Sequence, residues 1–384
     1  MPGHATMTQF QPLRVASVRR ETRDAIVVTL AVPEVLQPRY AYLQGQHLTL
    51  RAAIQGAAVC RAYSICSAAQ DRRLQVAIKL LPGGVFSAWA HAHIRPGMTI
   101  DVLPPSGGFH VPLDADAVRH YAGFAAGSGI TPLLSIVATT LHAEPRSHFT
   151  LVYANRSQET MMFREALAAL KNRYIARFSL IPVFSREQYD CALLCGRLDA
   201  ARCRALFARW MPVAAIDYAF ICGPAAMMDA VAGELLAHGL PAARIKREYF
   251  MPAGDRPALP QPPALASECA GRMTLTRDGV TRDIACPPPG QTILDAALAA
   301  GIDLHYACKG GVCATCRCRV VDGQVAMTGN YVLSDADIAR GVVLSCRSVP
   351  VSSRVVLDFD RVDAAADTRP GMGAPRAAAA GAER

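Results

Sequence analysis

Four cysteines near the C-terminal end constrain this chain more than any other feature. Residues 307–316 read Ala307-Cys308-Lys309-Gly310-Gly311-Val312-Cys313-Ala314-Thr315-Cys316, and Cys346 follows thirty residues after the third. The pattern is C-x4-C-x2-C…C, a spacing that holds a [2Fe–2S] cluster with three thiolates from one loop and a fourth from afar. Four thiolates must converge on two irons that share two sulfides, so the loop has to wrap closely. Gly310 and Gly311 let the backbone approach the inorganic sulfur, where a Cβ would collide, and leave amides free to hydrogen-bond to it. Structural zinc usually takes two C-x2-4-C pairs, which one triplet plus a distant cysteine fits poorly. Cys318, two residues past the third ligand, reads as a packed thiol. A cluster at this spacing carries one electron at a time, so the remaining sequence must supply electrons and dispose of them.

With 384 residues the chain exceeds one compact core and suits two or three domains. Of its 13 cysteines, nine lie outside the quartet (Cys60, Cys66, Cys191, Cys195, Cys203, Cys222, Cys269, Cys286 and Cys318), scattered without a disulfide framework. The first residues, Met-Pro-Gly-His-Ala-Thr-Met, show no basic region followed by an apolar core. Together these place the chain in a reducing cytoplasm. Tyr121 to Leu141 is apolar enough by count to span a bilayer. Its Gly127-Ser128-Gly129 and Pro132 instead suit a strand, a tight turn and a helix start, so it reads as buried α/β core rather than membrane. The formal net charge of +9 is dispersed, with no run of five or six bases and no interleaved aromatics. That excludes an obvious nucleic-acid surface and suits an anionic substrate or cofactor.

Three blocks separate by pattern. Residues 8–112 carry short alternating runs, Ala25–Val32, His47–Leu50, Leu74–Leu80 and Thr99–Leu103, punctuated by Pro82-Gly83-Gly84, Pro96-Gly97 and Pro104 to Gly108. They predict a small antiparallel β-barrel. Residues 113–252 alternate apolar strands (Tyr121–Phe124, His148–Tyr153, Phe178–Phe184, Tyr218–Cys222) with helical stretches such as Met162–Leu170 and Ala225–Leu236, which predicts a doubly wound parallel sheet. A linker rich in Pro and Ala is expected over 253–269. An α+β domain holding the cysteines is expected over 270–362, with a turn at Asp278-Gly279, a helix from Thr292 to about Ala300 and a strand Val355–Phe359. Residues 363–384 read as a disordered tail.

Within the first block, Arg61-Ala62-Tyr63-Ser64 suits a flavin. Arg61 can neutralise a pyrophosphate, Tyr63 can stack on an isoalloxazine ring, and Ser64 can hydrogen-bond near its N5. Downstream, Gly84-Val85-Phe86-Ser87 leads a glycine turn into a helix whose first amides can receive phosphate. In the second block, Gly127-Ser128-Gly129-Ile130-Thr131-Pro132 follows a strand and opens a helix, the arrangement that admits a nucleotide pyrophosphate. Cys222-Gly223-Pro224, after the last strand, makes another close-approach turn where a nicotinamide would lie. Arg156 and Ser157 occupy the position where an acid would bind a ribose 2′-hydroxyl and an Arg a 2′-phosphate, so NADPH is favoured over NADH.

These residues, with Arg247-Glu248-Tyr249-Phe250, resemble the ferredoxin–NADP reductase superfamily fused to a C-terminal plant-type ferredoxin domain. Tyr153–Ser157, Cys308–Cys316 and Gly341–Cys346 are similar to reductase subunits of the phenylacetyl-CoA epoxidase type. The module order is also that of steroid-hydroxylase and other oxygenase reductases. The resemblance implies FAD, NADPH and delivery of electrons to a separate di-iron oxygenase that epoxidises phenylacetyl-CoA. It also implies roles for Cys222 and Glu248 around the nicotinamide and flavin N5, which with Ser64 of the flavin motif are the catalytic candidates. Rival readings are a reductase for another oxygenase or for a hybrid-cluster protein, and a redox-sensing [2Fe–2S] binding protein. Acids and bases nearly balance across the cluster block, and Lys309, Arg317 and Arg319 flank the ligands. A neutral or acidic partner surface is therefore expected, with salt weakening the transfer.

Overall fold

The computed structural model of the chain describes residues 9–250, 271–288, 291–362 and 378–379. The expected linker, and the expected tail apart from 378–379, lie outside the described residues. Two compact units are present, one built on residues 10–59 and 63–250, the other on the C-terminal residues together with 60–62.

The alternation read in the first block becomes strands because one side of each run can be buried and the other cannot. In β1 (Gln11–Thr22) Leu13 and Val15 point inward with no exposure while Arg14 faces solvent. Strands β2 (Ala25–Ala31), β3 (His47–Ile54), β4 (Ala57–Ser64), β5 (Leu74–Lys79) and β6 (Thr99–Val102) complete a six-stranded sheet of order β4-β3-β6-β1-β2-β5. The two edges of that order meet: Ile65, just past β4, bridges Val76 of β5 antiparallel, and the Cys66 amide donates to the Gln75 carbonyl at 2.9 Å. The sheet is thus rolled into the expected barrel. Leu48, Leu50, Val76, Ile78 and Phe86 fill it, Phe86 coming from helix α1 (Val85–His93). Each such side chain contributes about 1.5–3 kcal/mol by leaving water.

In the second block β7 (His120–Ala126) is buried on both faces, with Tyr121, Ala122, Phe124 and Ala125 unexposed. That is why its sequence is continuously apolar rather than alternating. It is followed by a short turn at Gly127–Gly129 and helix α2 (Ile130–Ala143). The apolar segment Tyr121–Leu141 is therefore strand, turn and helix, and among the described residues no helix is long and apolar enough to cross a membrane. Strand β8 (His148–Asn155), helix α3 (Arg164–Arg173), strand β9 (Phe178–Phe184), helix α4 (Ala200–Arg209), strand β10 (Tyr218–Cys222), helix α5 (Ala225–Ala237) and strand β11 (Ile245–Glu248) follow. The parallel order is β11-β10-β7-β8-β9. The chain reverses direction across the sheet between β7 and β10, the place where doubly wound sheets open a ligand crevice. Phe109, which follows the barrel, packs edge-on against Phe220 of β10 with centroids 5.5 Å apart.

In the C-terminal unit β12 (Arg272–Arg277) and β13 (Val280–Ala285) form a hairpin through Asp278-Gly279, both residues at positive φ, as the tightest hairpin turn demands. Helix α6 (Ile293–Ala299) begins where expected: Thr292 accepts the Asp295 amide as its cap. Strand β14 (Arg317–Asp322), strand β15 (Val325–Met327), helix α7 (Asp335–Ala339), strand β16 (Val342–Leu344), strand β17 (Ser348–Pro350) and strand β18 (Arg354–Asp358) follow. The main sheet runs β13-β12-β18-β14-β16, with β12 and β18 parallel and the other pairs antiparallel. Ile293, Leu294 and Ala297 of α6 pack with Met273, Leu275, Val355 and Leu357 of the sheet. One sequence expectation changes here: Cys286 is disulfide-bonded.

Candidate redox centres

The cysteine loop lies in the C-terminal unit between α6 and β14. The thiols of Cys308, Cys313, Cys316 and Cys346 lie close enough together to perturb one another's protonation. The distant fourth thiol is brought in by the backbone: the Ser345 amide and hydroxyl both donate to the Cys316 carbonyl, at 3.1 and 2.8 Å. Cys313, Cys316 and Cys346 are each less than 5 % exposed. Cys313, then Cys346, with the amides of Gly310 and Val312, hold the Cys308 thiol well below its usual value, while Cys308 in turn pushes the thiols of Cys313 and Cys346 well above theirs. The Gly310 amide points at Cys308 Sγ from 3.3 Å, the hydrogen bond to sulfur that the sequence suggested.

Gly311 serves a different purpose from the one expected. Its φ is +84°, and a Cβ there would come 3.0 Å from the Gly329 carbonyl oxygen and 3.1 Å from Arg347 Cγ. It is needed for the loop to clear its own protein. Lys309 and Ala314 also hold positive φ, at 51° and 52°, a conformation that side chains adopt at a cost and that surrounding structure must enforce. No three His, Cys, Asp or Glu side chains among the described residues surround a single ion. A two-iron cluster asks instead for two thiolates at each iron, and convergent, buried thiols with amides aimed at sulfur fit that group. Cys318 is fully buried in the core beside them, as read from the sequence.

Strand β4 carries Arg61, Ala62, Tyr63 and Ser64 to the rim of the barrel. The Arg61 guanidinium bonds the Cys60 carbonyl at 2.7 Å. Tyr63 is half-buried, its ring backed by Phe86 at 5.6 Å, which is in turn backed by Trp89 at 5.5 Å. Phe86 therefore supports Tyr63 from inside the core, while Val85 is exposed. Gly84 precedes α1 with no side-chain cap, which leaves first-turn amides open to an anion. The Ser87 hydroxyl is already occupied: it donates to the Gly84 carbonyl at 3.1 Å and accepts the Leu81 amide at 3.2 Å. It holds the turn in shape.

The nucleotide crevice is framed by the ends of β7 and β10. Gly127 takes φ +53° with open space around it, and its carbonyl accepts Tyr153 Oη at 3.0 Å. Gly129 passes so close to β10 that a Cβ would sit 2.1 Å from the Cys222 carbonyl oxygen. Thr131, 2 % exposed, donates to the Ser128 carbonyl at 3.0 Å, and Pro132 is buried in the first turn of α2. Gly223 faces Met227 and Ala126, and Pro224 begins α5. Arg156 leaves β8 into solvent, whereas Ser157 turns back, its amide donating to Thr160 Oγ1 at 3.1 Å.

Sequence reasoning missed Arg186. Its amide donates to the Arg156 carbonyl at 2.9 Å, so two exposed arginines leave adjacent strand ends together. The signal was present: Ser185-Arg186 follows β9 much as Arg156-Ser157 follows β8. The nearby acid Glu187 is engaged, accepting the Gln158 amide at 2.8 Å and Tyr189 Oη at 2.7 Å.

Ser64, Cys222 and Glu248 are brought together from three stretches of the chain. Cys222 and Glu248 are register partners on β10 and β11. Ser64, 3 % exposed, donates its hydroxyl to Glu248 Oε2 at 3.0 Å, across 184 residues of sequence. Burial pushes the Glu248 carboxyl up to about 8, with the Ser64 bond opposing it. Burial, then the neighbouring Glu248 charge, pushes the Cys222 thiol well above its usual value. Cys222 is a neutral, fully buried thiol, and its contribution to the crevice surface is its backbone.

A barrel with a flavin-type strand motif, a doubly wound nucleotide domain and a thiol-lined loop domain together define a modular oxidoreductase. Models of three families match these modules in turn: an oxidoreductase FAD-binding domain over residues 12–111, an oxidoreductase NAD-binding domain over 124–233, and a 2Fe-2S iron-sulfur cluster binding domain over 275–351. The chain is 47 % identical to a 1,2-phenylacetyl-CoA epoxidase subunit of Escherichia coli (strain K12), across 92 % of this chain and 99 % of that one. It is 34 % identical to the ferredoxin reductase component of 3-ketosteroid-9-alpha-monooxygenase from Rhodococcus rhodochrous, across 90 % of this chain and 96 % of the relative. The chain belongs to this family of oxygenase reductases. Among solved structures, phthalate dioxygenase reductase shares the fold over 91 % of this chain and 98 % of its own, with a TM-score of 0.55 and 24 % identity. An intact type IV self-sufficient cytochrome P450 monooxygenase matches with a TM-score of 0.64 and 24 % identity over 91 % of this chain, which spans 41 % of that longer protein.

Proposed function

We propose that this reductase carries electrons from NADPH through FAD and a [2Fe–2S] cluster to a di-iron oxygenase acting on phenylacetyl-CoA in phenylacetate catabolism, in the cytoplasm. The domains are 8–112 for FAD, 113–252 for the nucleotide and 270–362 for the cluster, joined by a linker at 253–269 and ending in a tail at 363–384. The observation that carries the reading is the meeting of Ser64, Cys222 and Glu248 where the barrel rim joins the ends of β10 and β11. When bound, the nicotinamide and flavin supply hydride transfer, and flavin and cluster supply single-electron steps.

The chain's own residues position and insulate. Arg61, Tyr63 and Ser64, with the α1 amides after Gly84, Val85, Phe86 and Ser87, hold the flavin. Gly127, Ser128, Gly129, Thr131, Pro132, Cys222, Gly223 and Pro224 shape the nicotinamide crevice. Glu248 keeps a proton at neutral pH, and Ser64 Oγ links that acid to the place where the flavin's N5 would stand. Arg156, Ser157 and Arg186 take the 2′-phosphate, which supports NADPH over NADH. Cys308, Cys313, Cys316 and Cys346 hold the cluster.

The test is anaerobic mixing of the purified chain with NADPH or NADH, followed by addition of candidate oxygenases. Rapid bleaching of flavin and cluster absorbance, faster with NADPH, and turnover with a phenylacetyl-CoA epoxygenase are expected. NADH reducing equally well sinks the coenzyme assignment. Turnover with a steroid hydroxylase alone would favour the second reading, which the 34 % relative supports. A preparation without flavin absorbance would revive the redox-sensor reading.

A further inference from the structure

Arg347 follows the fourth cysteine directly, yet it is 3 % exposed, although arginine is rarely buried to that degree. Its side chain runs beneath the cysteine loop. Cγ packs where a Cβ of Gly311 would lie, and the guanidinium packs against Gly329, whose absent Cβ would be 3.1 Å from Nε and 3.2 Å from Nη2. The Arg347 carbonyl accepts the amide and the hydroxyl of Thr328, at 2.7 and 2.9 Å, and Nη2 donates to the Thr328 carbonyl at 3.5 Å. Two glycines, one of them inside the ligand loop, thus make room for one buried cation. Burying a guanidinium is expensive unless its charge is used.

We infer that Arg347 sets the reduction potential of the centre, its buried charge favouring the electron-loaded form. An oxidised cluster held by four thiolates carries two net negative charges and a reduced one carries three. A cation fixed nearby in a medium of low dielectric stabilises the second form more than the first. The electron itself comes from the reductase activity already described. The role is that of a positioning residue: Arg347 touches the loop rather than the irons. The inference rests on Cys308, Cys313, Cys316 and Cys346 being the ligands.

The experiment is a potentiometric titration of the full-length holoprotein followed by electron paramagnetic resonance of the reduced cluster. Arg347→Gln is expected to lower the reduced-to-oxidised ratio at fixed potential about tenfold, a midpoint shift of about 59 mV to more negative values for a one-electron couple. Arg347→Lys, which keeps the charge, should shift it by less than half as much. If Arg347→Gln does not load a cluster, Gly329→Ala is the second variant. Its methyl displaces the guanidinium without removing it, and the midpoint should again fall. A midpoint unchanged in a variant that shows the cluster signal overturns the inference, as does an equal shift in Gln and Lys variants. Absence of any cluster signal from the unsubstituted protein would instead overturn the ligand assignment.

Discussion

At the scale of single residues, Glu248 concentrates the most testable chemistry. Its carboxyl titrates near 8 because burial disfavours the anion, against an ordinary value of 4.5. Between those values the folded chain holds a proton that the unfolded chain has released, so this group's contribution to stability falls as pH rises through that window. The same proton is available to the crevice only below about 8. Flavin reduction by NADPH, followed by stopped-flow absorbance, should therefore slow as pH passes 8. Glu248→Gln should lower the rate about 10²-fold and flatten that limb. A variant that keeps both the rate and the limb would remove Glu248 from the mechanism. Ser64→Ala should slow the reaction less, since it removes the link and leaves the acid. The residue type of Glu248 was readable in the sequence, but its partner was not: Ser64 lies 184 positions away, and only the strand register of β11 against β10 brings them together. Arg186 escaped notice because it sits beyond a different strand from Arg156.

At the scale of elements, the two glycines of the β7–α2 turn do different work, and that difference can be measured. Gly127 needs its left-handed backbone but has open space, so Gly127→Ala should cost about 1 kcal/mol. Gly129 has an ordinary backbone but no space, because the Cys222 carbonyl lies 2.1 Å from where its Cβ would be. Gly129→Ala has to separate neighbouring strand ends, at about 3 kcal/mol. Thermal unfolding of the flavin-loaded protein should show the larger fall in Tm for Gly129→Ala, together with a raised KM for NADPH. Equal falls would mean that the crevice walls yield easily. The turn was legible from its glycines and the strand–helix switch around it. So were β2, β5 and β6 from their alternation, and α6 from its Thr292 cap. Strand β1 was not, because Arg14, Arg19 and Arg20 dilute its pattern, and its bulges near Val15 and Arg20 break the period of two. Strand β11 was read only as a motif, since its four half-buried residues carry no periodic signal.

At the scale of the whole molecule, charge is unevenly shared between the modules. Residues 271–362 carry ten Lys and Arg against nine Asp and Glu, so almost all of the net charge of +9 lies elsewhere. Within the cluster domain the most conspicuous base is matched as well. Lys309 pairs with Asp295 at 3.1 Å and lies over the Tyr306 ring at 4.7 Å, which tempers the docking role its sequence position suggested. The excess positive charge therefore belongs to the part of the chain that carries the flavin and nucleotide modules rather than to the cluster domain. Salt screens exposed charges over roughly 8 Å at physiological strength, so the two ends of the electron path should respond differently. The KM for NADPH should rise steeply with ionic strength, and that for NADH, which lacks the 2′-phosphate, less steeply. The advantage proposed for NADPH should narrow accordingly. Delivery of electrons to the oxygenase, measured from pre-reduced protein, should fall only mildly over the same range. Steady-state assays at several salt concentrations, with an artificial acceptor and then with the oxygenase, separate the two steps. A partner step that falls as steeply as the coenzyme step would mean that Arg317 and Arg319 form a charged docking face after all. One that rises with salt would mean that the partner presents a basic surface to the cluster.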